Sequence, residues 1–219
     1  MIQCTPLRAN HRLLPGVACF MAAPMNTVPM NTAPMNPSAL DAALPPGSRL
    51  RQATDADGTA IGRLIASIFA EYPGCSFTAR EFPELTAIAS HFSAQGGRVW
   101  VVEMADADAP PAATHGARDL IACCAIAPTR MPAVFELTKV YVDKSWRGSG
   151  LAQRLIAVAL DLACTRGAKR VELFSDTRFL AAHRFYRKLG FTPIPGERYL
   201  ADISQSWEYH FAYDIARRR

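Results

Sequence analysis

The sequence predicts a mixed α/β domain that follows an N-terminal extension of different composition. Segments rich in β-branched residues, such as residues 98–104, alternate with segments whose apolar residues recur at helical spacing, such as residues 149–166. The strand at 135–142, that helix and the strand at 170–175 form a β-α-β unit, whose two strands are expected to be parallel. A hydrophobic fraction of 50% with 9% aromatic residues is typical of a soluble globular protein.

The N-terminal part of the domain is predicted to contain one strand and two helices. Residues 48–53 read as a short strand, and a helix over residues 54–72 follows, ended by a Pro-Gly pair. A capping box, Thr78 with Glu81 three residues later, predicts the start of a second helix. That helix is expected to end at the glycine pair 96–97.

The rest of the domain is predicted to alternate strands and helices around the β-α-β unit. Strands at 98–104 and 120–127 are expected to pair as a hairpin with a long loop. A helix over 179–189, a strand from 191 and a closing strand over 207–215 complete the domain. The predicted order is therefore β-α-α-β-β-β-α-β-α-β-β.

Residues 1–47 are predicted to be a disordered extension, and residues 48–219 a single domain. The extension holds eight of the 16 prolines and five of the seven methionines, but only three charged residues. Its five-residue repeat, which begins at Pro24, cannot continue as a helix or a central strand because of its prolines. A targeting segment and a start codon assigned too early both stay open as alternatives.

Composition excludes several classes of protein. No apolar run approaches the ~18 residues of a membrane helix, so no membrane association is expected. The six cysteines have neither metal-ligand nor disulfide-framework spacing, which predicts reduced thiols in the cytoplasm and no metal. Cys123 and Cys124 are expected to point to opposite faces of one strand as small apolar residues. The net charge of +5 suits an anionic small molecule as well as nucleic acid, but no nucleic-acid motif accompanies the terminal arginines 217–219.

The strongest local motif is RGSGLA at residues 147–152, between the strand 135–142 and the next helix. Its glycines allow the backbone to approach a ligand, and the free N–H groups and dipole at the helix start favour a phosphate or pyrophosphate. Arg147 adds positive charge. A tight turn without a ligand explains a bare GxG about equally well. A dinucleotide loop would need glycine at Gln153, yet Glu172 stands where a ribose-binding acid is expected, so this alternative stays open.

The order of elements together with RGSGLA resembles the GNAT superfamily of acyl-CoA-dependent N-acyltransferases. The pyrophosphate loop of that family reads Q/R-x-x-G-x-G/A, and Arg147, Gly150 and Ala152 fill the pattern. The segment AHRFYRKLGF at 182–191 is similar to the family's A-x-x-x-Y-x-x-x-G-F helix and turn. The resemblance covers about residues 50–215 and identifies the acyl donor better than the acceptor.

The resemblance implies a central mixed β-sheet flanked by helices, with acetyl-CoA as the donor substrate. The main chain of the strand 135–142 is expected to bind the pantetheine arm, at the place where this strand parts from the strand 170–175. The N–H groups of residues 148–153 are expected to hold the pyrophosphate. Ser175-Asp176-Thr177 stands where other members have an asparagine that contacts pantetheine, and Ser175 or Thr177 is the candidate to replace that contact. The residues assigned to acetyl-CoA in this way are Val140, Tyr141, Val142, Arg147, Gly148, Ser149, Gly150, Leu151, Ala152, Gln153 and Ser175.

Two catalytic residues follow from the same resemblance. Tyr186 is expected to be the general acid for the departing CoA thiolate, although a tyrosine on an inward helix face is more often only packed. Glu136 is the candidate base, acting directly or through water, and a half-exposed carboxylate paired with an arginine is an equal alternative. His183, one turn before Tyr186, is expected to be structural.

The predicted function is an N-acetyltransferase that moves an acetyl group from acetyl-CoA to a primary amine in a ternary complex. The alternative is a non-catalytic acyl-CoA-binding regulatory domain, which would keep RGSGLA but would not need Tyr186. The acceptor is a small molecule or a protein amine that the sequence does not identify. A homodimer through the aromatic-rich strand at 207–213 stays open.

Overall fold

The computed structural model describes residues 44–104 and 120–215. The order of its helices and strands corresponds to the predicted one, with short 3-10 segments added between them. The strands are β1 (Ser48–Gln52), β2 (Arg98–Met104), β3 (Leu120–Pro128), β4 (Val134–Val142), β5 (Arg170–Asp176), β6 (Thr192–Tyr199) and β7 (Trp207–Asp214); the helices are α1 (Gly58–Phe69), α2 (Ile88–Ala94), α3 (Leu151–Thr165) and α4 (Leu180–Lys188).

The described strands form a seven-stranded mixed sheet in the order β1-β2-β3-β4-β5-β7-β6. The hairpin of β2 and β3 is antiparallel, and β4 is parallel to β5, as predicted. The ladder between β4 and β5 contains the pairs from Val134 with Arg170 to Glu136 with Glu172. Since β4 continues to Val142 and β5 to Asp176, the two strands part beyond these pairs and leave a cleft.

Apolar clusters cover both faces of the sheet. Helix α3 and Tyr186 of α4 pack on one face, and α1 and α2 pack on the other. Cys124 belongs to the cluster with α3, whereas Cys123 belongs to the cluster with α1, which confirms that the two side chains point to opposite faces. Burial raises the pKa of both thiols, that of Cys123 to about 12. Neither thiol is therefore suited to act as a nucleophile at neutral pH.

The second predicted helix is present and ends before the glycine pair 96–97, but its predicted start at Thr78 is wrong. A single 3-10 turn covers Ala79–Glu81, a second covers Pro83–Ala87, and the α-helix starts only at Ile88. Pro83 has no N–H to donate and disfavours helical geometry in the residue before it, which has φ −126° and ψ 56°. The carboxylate of Glu81 accepts a hydrogen bond from the backbone N–H of Ile203, 2.6 Å away, instead of closing a capping box.

The predicted first helix is shorter than expected, and its start is fixed by buried charges. A 3-10 turn at Asp55–Asp57 precedes α1, and the Asp57 carboxylate accepts hydrogen bonds from the N–H and hydroxyl of Thr54. Arg51 donates to Asp57 at 2.7 and 2.8 Å and to Glu103 at 2.8 Å. Burial alone would raise the pKa of Asp57, but the hydrogen bonds from Arg51 and Thr54 lower it overall.

The predicted extension 1–47 lies outside the described residues, apart from 44–47. Leu44 packs against the core cluster of α3, and Ser48 donates to the carbonyl of Pro45 at 2.7 Å. Among the described residues no helix is long and apolar enough to cross a membrane. Within the same ranges no three histidines, cysteines or acidic residues are grouped so as to hold a metal ion.

Candidate active site

The cleft between β4 and β5 opens into a cavity of about 440 Å³. Its walls are the end of β4, the loop and first turn of α3, the end of β5 and one face of α4. All but one of the residues assigned to acetyl-CoA from the sequence line this cavity; they are Val140, Tyr141, Val142, Arg147, Gly148, Gly150, Leu151, Ala152, Gln153 and Ser175. The exception is Ser149, whose hydroxyl donates to the carbonyl of Trp146 at 2.6 Å.

The loop before α3 presents backbone rather than side chains to the cavity. Gly148 has φ 80° and Gly150 has φ 88°, values in the left-handed region that other residues rarely adopt. Helix α3 begins at Leu151, and its first backbone hydrogen bond runs from the N–H of Arg154 to the carbonyl of Gly150. The N–H groups of the three residues from Leu151 therefore have no partner within the helix, and they lie at the positive end of its dipole, where an anion is favoured.

Arg147 is held by a partner that the sequence analysis did not foresee. Its guanidinium donates to both carboxylate oxygens of Glu71, at 2.8 and 2.6 Å, and to the carbonyl of Val142 at 3.1 Å. The hydrogen bond with Glu71 raises the pKa of Arg147. The positive charge is thus already paired, and the residue braces the loop against the segment that follows α1.

Tyr186 lies at the inner wall of the cleft. Its ring is buried and packs on Phe191 and Phe211, with ring centroids 5.9 and 6.0 Å away. Within the described residues its hydroxyl makes no hydrogen bond, and the residue lines the cavity. Burial raises the pKa of Tyr186, so that the phenol stays protonated at neutral pH.

A second cavity of about 270 Å³ borders the first one at Tyr186. The residues that the two cavities share are Val140, Tyr141, Ser175, Phe179 and Tyr186. One cavity borders the helix start suited to a pyrophosphate, and the other is lined by carboxylates and aromatic rings. The arrangement can bring two ligands together at Tyr186.

Glu136 does not line either cavity. It lies opposite Glu172 in the short ladder, on the sheet face that also carries His210. The Nε2 of His210 lies 3.2 Å from a carboxylate oxygen of Glu172, within ion-pair distance but outside hydrogen-bond geometry. Burial raises the pKa of Glu136. One of the carboxylates that do line the second cavity is Glu208, which accepts hydrogen bonds from Arg198.

His183 has a structural position. Its Nε2 is 2.9 Å from the carbonyl of Asp176, and its ring packs against Tyr209 and Phe211. Burial lowers its pKa, which keeps the ring neutral. The residue ties α4 to the end of β5 rather than facing either cavity.

A bulge in β4 lies directly beside the cleft. Lys139 has φ 55°, and the register with β3 shifts between Cys123 and Ala125. The thiol of Cys123 lies 3.3 Å from the carbonyl of Lys139 and donates to it. The bulge interrupts the ladder just before the strand residues predicted to bind pantetheine.

The sheet parts between two parallel strands, a helix N-terminus suited to phosphate lies on one side of the cleft, and a buried tyrosine lies where the strands part. Together these features define a group-transfer enzyme that uses a large anionic donor. Residues 63–191 match the model of the acetyltransferase (GNAT) family. The chain belongs to this family and is an acetyl-CoA-dependent acyltransferase.

Individual relatives agree with this assignment. The chain is 29% identical over 155 residues to YjgM of Escherichia coli K12, described as an uncharacterized N-acetyltransferase, which covers 68% of this chain and 85% of YjgM. The fold is similar to that of a GNAT-family acetyltransferase from Staphylococcus aureus Mu50, with a TM-score of 0.61, 15% identity, and coverage of 77% of this chain and 99% of the other. It is also similar to yncA of Salmonella typhimurium, solved with its cofactor acetyl-CoA, with a TM-score of 0.56, 16% identity, and coverage of 78% and 95%.

Proposed function

We propose that the protein transfers the acetyl group of acetyl-CoA to a primary amine by direct attack, with both substrates bound at once. The observation that carries this proposal is the position of Tyr186 on the wall between the two cavities. A donor in the first cavity and an acceptor in the second meet there without an enzyme nucleophile between them. Burial raises the pKa of both thiols of β3 and that of Cys75, which lines the second cavity, and these raised pKa values are in keeping with transfer that forms no acyl-cysteine.

The donor is held mainly by the backbone. The pyrophosphate of acetyl-CoA binds the N–H groups of residues 148–153, and the pantetheine arm pairs with the main chain of Val140–Val142, which has no ladder partner on the β5 side in the described chain. A backbone N–H of this strand polarises the thioester carbonyl. Ser175, on the β5 side of the cleft, borders the same arm.

The chemical step requires one proton to leave and one to be supplied. The neutral amine attacks the thioester carbon, the C–N bond forms, and the C–S bond breaks with its electron pair going to sulfur. Tyr186 supplies a proton to the sulfur as the thiolate develops. The amine proton passes to a carboxylate or to water; Glu136 is the base predicted from the sequence, and Glu208 lies on the wall of the acceptor cavity. No metal, nucleic acid or membrane takes part in this scheme, and the cytoplasm remains its predicted location.

The decisive experiment replaces the Tyr186 hydroxyl alone. Tyr186→Phe keeps the ring packing on Phe191 and Phe211, so the melting temperature and the affinity for acetyl-CoA are expected to change little. Release of CoA in the presence of an amine is expected to fall by about 10²–10⁴-fold. Tyr199→Phe, in an exposed tyrosine of β6, is the matched control. Normal turnover with a lowered melting temperature would assign Tyr186 a packing role only.

The base is identified by a second pair of variants. Glu136→Gln and Glu208→Gln remove one carboxylate each and keep the size of the side chain. The true base is the residue whose replacement lowers kcat and removes the acidic limb of the pH–rate profile. If both variants retain the wild-type profile, water takes the amine proton without a carboxylate.

A further inference from the structure

The second cavity combines aromatic walls with carboxylates, and this combination restricts the acceptor. The rings of Phe69, Phe82 and Phe174 line it, together with Tyr141 on the wall shared with the donor cavity. Such walls suit an apolar segment of a ligand rather than a polar one. The carboxylates therefore have to recognise groups at the ends of that segment.

The cationic groups on or beside this cavity are already neutralised. Lys139 pairs with Glu84 at 2.7 Å and lies over the Phe82 ring, 4.6 Å from its centroid. The guanidinium of Arg198 donates through Nε and Nη2 to Glu208. Neither cation is free to hold an anionic acceptor.

Arg178 is equally occupied. Its Nε and Nη2 donate to the two oxygens of Asp176, Nη2 also donates to the Ser206 hydroxyl, and Nη1 donates to the carbonyls of Gly74 and Ser204. Because each of these nitrogens already has an acceptor, Arg178 neutralises Asp176 and fastens two loops together. It does not offer a site for a carboxylate or phosphate.

Two other carboxylates of the cavity wall lack an ion-pair partner among the described residues, and one of them, Asp202, also raises the pKa of Arg178 through its charge. Glu81 accepts the N–H of Ile203 at 2.6 Å, and Asp202 accepts the N–H of Ser206 at 2.8 Å, each through one oxygen. Within the described ranges neither carboxylate forms an ion pair. Glu81, in the segment after α1, contacts Ile203 in the turn before β7, and Asp202 is the residue before Ile203. The negative charges of Glu81 and Asp202 therefore act at the same part of the cavity.

We propose that the acceptor is a small organic dication: the amine to be acetylated, an apolar spacer, and a second ammonium bound by Glu81 and Asp202. This inference rests on the amine acetylation proposed above. The reacting amine reaches Tyr186 in its neutral form, while the spacer packs against the phenylalanine rings. The second ammonium takes no part in bond formation and leaves on the product unchanged, so the product carries one positive charge where the substrate carried two.

The experiment compares three acceptors with the same number of carbons, using the full-length protein and acetyl-CoA. These are 1,5-diaminopentane, pentylamine and 5-aminopentanoate, which carry the reacting amine on a five-carbon chain and differ in the far end, where they have an ammonium, a methyl group and a carboxylate. For the wild type, kcat/KM is expected to be at least about 10-fold higher for the diamine than for pentylamine, and lowest for the amino acid. Raising the salt concentration is expected to reduce the advantage of the diamine.

Variants then assign the effect to the two carboxylates. Glu81→Gln and Asp202→Asn keep an oxygen for the N–H groups of Ile203 and Ser206, so the turn is expected to stay in place. The double variant is expected to lose about 10-fold in kcat/KM for the diamine and less than 2-fold for pentylamine. Asp161→Asn, in an exposed residue of α3, removes the same charge at a distance from the cavity and serves as the control.

Each outcome separates this inference from the proposed function. Equal rates for the diamine and pentylamine would overturn the dication and leave amine acetylation standing. Equal losses for both amines in the double variant would also overturn it, because the carboxylates would then only hold the turn. Binding of acetyl-CoA without acetylation of any of the three amines would count against the proposed function at its acceptor, and the dication would fall with it.

Discussion

Adding one methyl group at Gly148 tests whether acetyl-CoA binds at the loop before α3. Gly148 has φ 80°, and a Cβ built there meets no atom within 4 Å. Gly167, just after the other end of α3, has φ 79° and equally open surroundings. Alanine at either position therefore has the same defect, a left-handed backbone that costs about 1–2 kcal/mol. We expect both variants to lower the melting temperature by the same few degrees, about 2–4 °C for each kcal/mol in a domain of this size.

The two variants are expected to differ in ligand affinity. Backbone strain is present with and without ligand, so it cancels from the binding free energy. Only the methyl group at Gly148 projects at the wall of the cavity, where close approach of a pyrophosphate would be blocked. We expect Gly148→Ala to weaken acetyl-CoA binding by at least about 10-fold, equal to about 1.4 kcal/mol, and Gly167→Ala to leave it unchanged. Calorimetric titration measures both; equal affinities in the two variants would refute a donor site at this loop.

Two further predictions concern stability. Asp57→Asn removes a carboxylate that is 1% exposed and leaves Arg51 with less compensation, so the free energy of unfolding in urea at pH 7 is expected to fall by about 3 kcal/mol. Because folding lowers the pKa of Asp57, its carboxylate stabilises the folded protein above the ordinary aspartate pKa of about 4, and this stabilisation is lost as the pH falls below that value. The difference in free energy of unfolding between wild type and variant is therefore expected to shrink at pH 3. A difference that stays constant with pH would contradict a stabilising role of the Asp57 charge. A chain that starts at Ala42 is expected to keep the melting temperature and acetyl-CoA affinity of the full chain, because the proline repeats before it have too few apolar side chains to offset the entropy lost on ordering them. A lower melting temperature or a weaker affinity would mean that the extension contacts the domain or its cleft.

Local patterns were sufficient for most strands and for the loop that borders the first cavity. The two glycines of RGSGLA are separated by a single residue and act through their own backbone, so their environment can be read from a few neighbouring residues. The second helix could not be predicted in the same way, since a capping box at Thr78 competes with Pro83 and with a contact between Glu81 and the distant Ile203.

The polar partners of the site depended on strand register and on long-range contacts. Glu208 reaches the second cavity because β7 lies beside β5 with Glu208 opposite Asp176, and chain order alone places β6 there equally well. Arg147 meets Glu71 across 76 positions in the chain. Neither relation leaves a periodic signal in the sequence, and covarying pairs in related sequences are the signal that could have revealed them.

The short ladder between β4 and β5 links the stability of the protein to its own donor. Strands β1–β4 form one part of the sheet and strands β5, β7 and β6 the other, and the short ladder between β4 and β5 joins the two parts, while α3 packs on β3 and β4. A ligand that contacts both parts of the sheet holds them together. Its binding raises the free energy of unfolding, and this stabilisation grows with the logarithm of the ligand concentration. We therefore expect the melting temperature of this protein to rise with the concentration of acetyl-CoA.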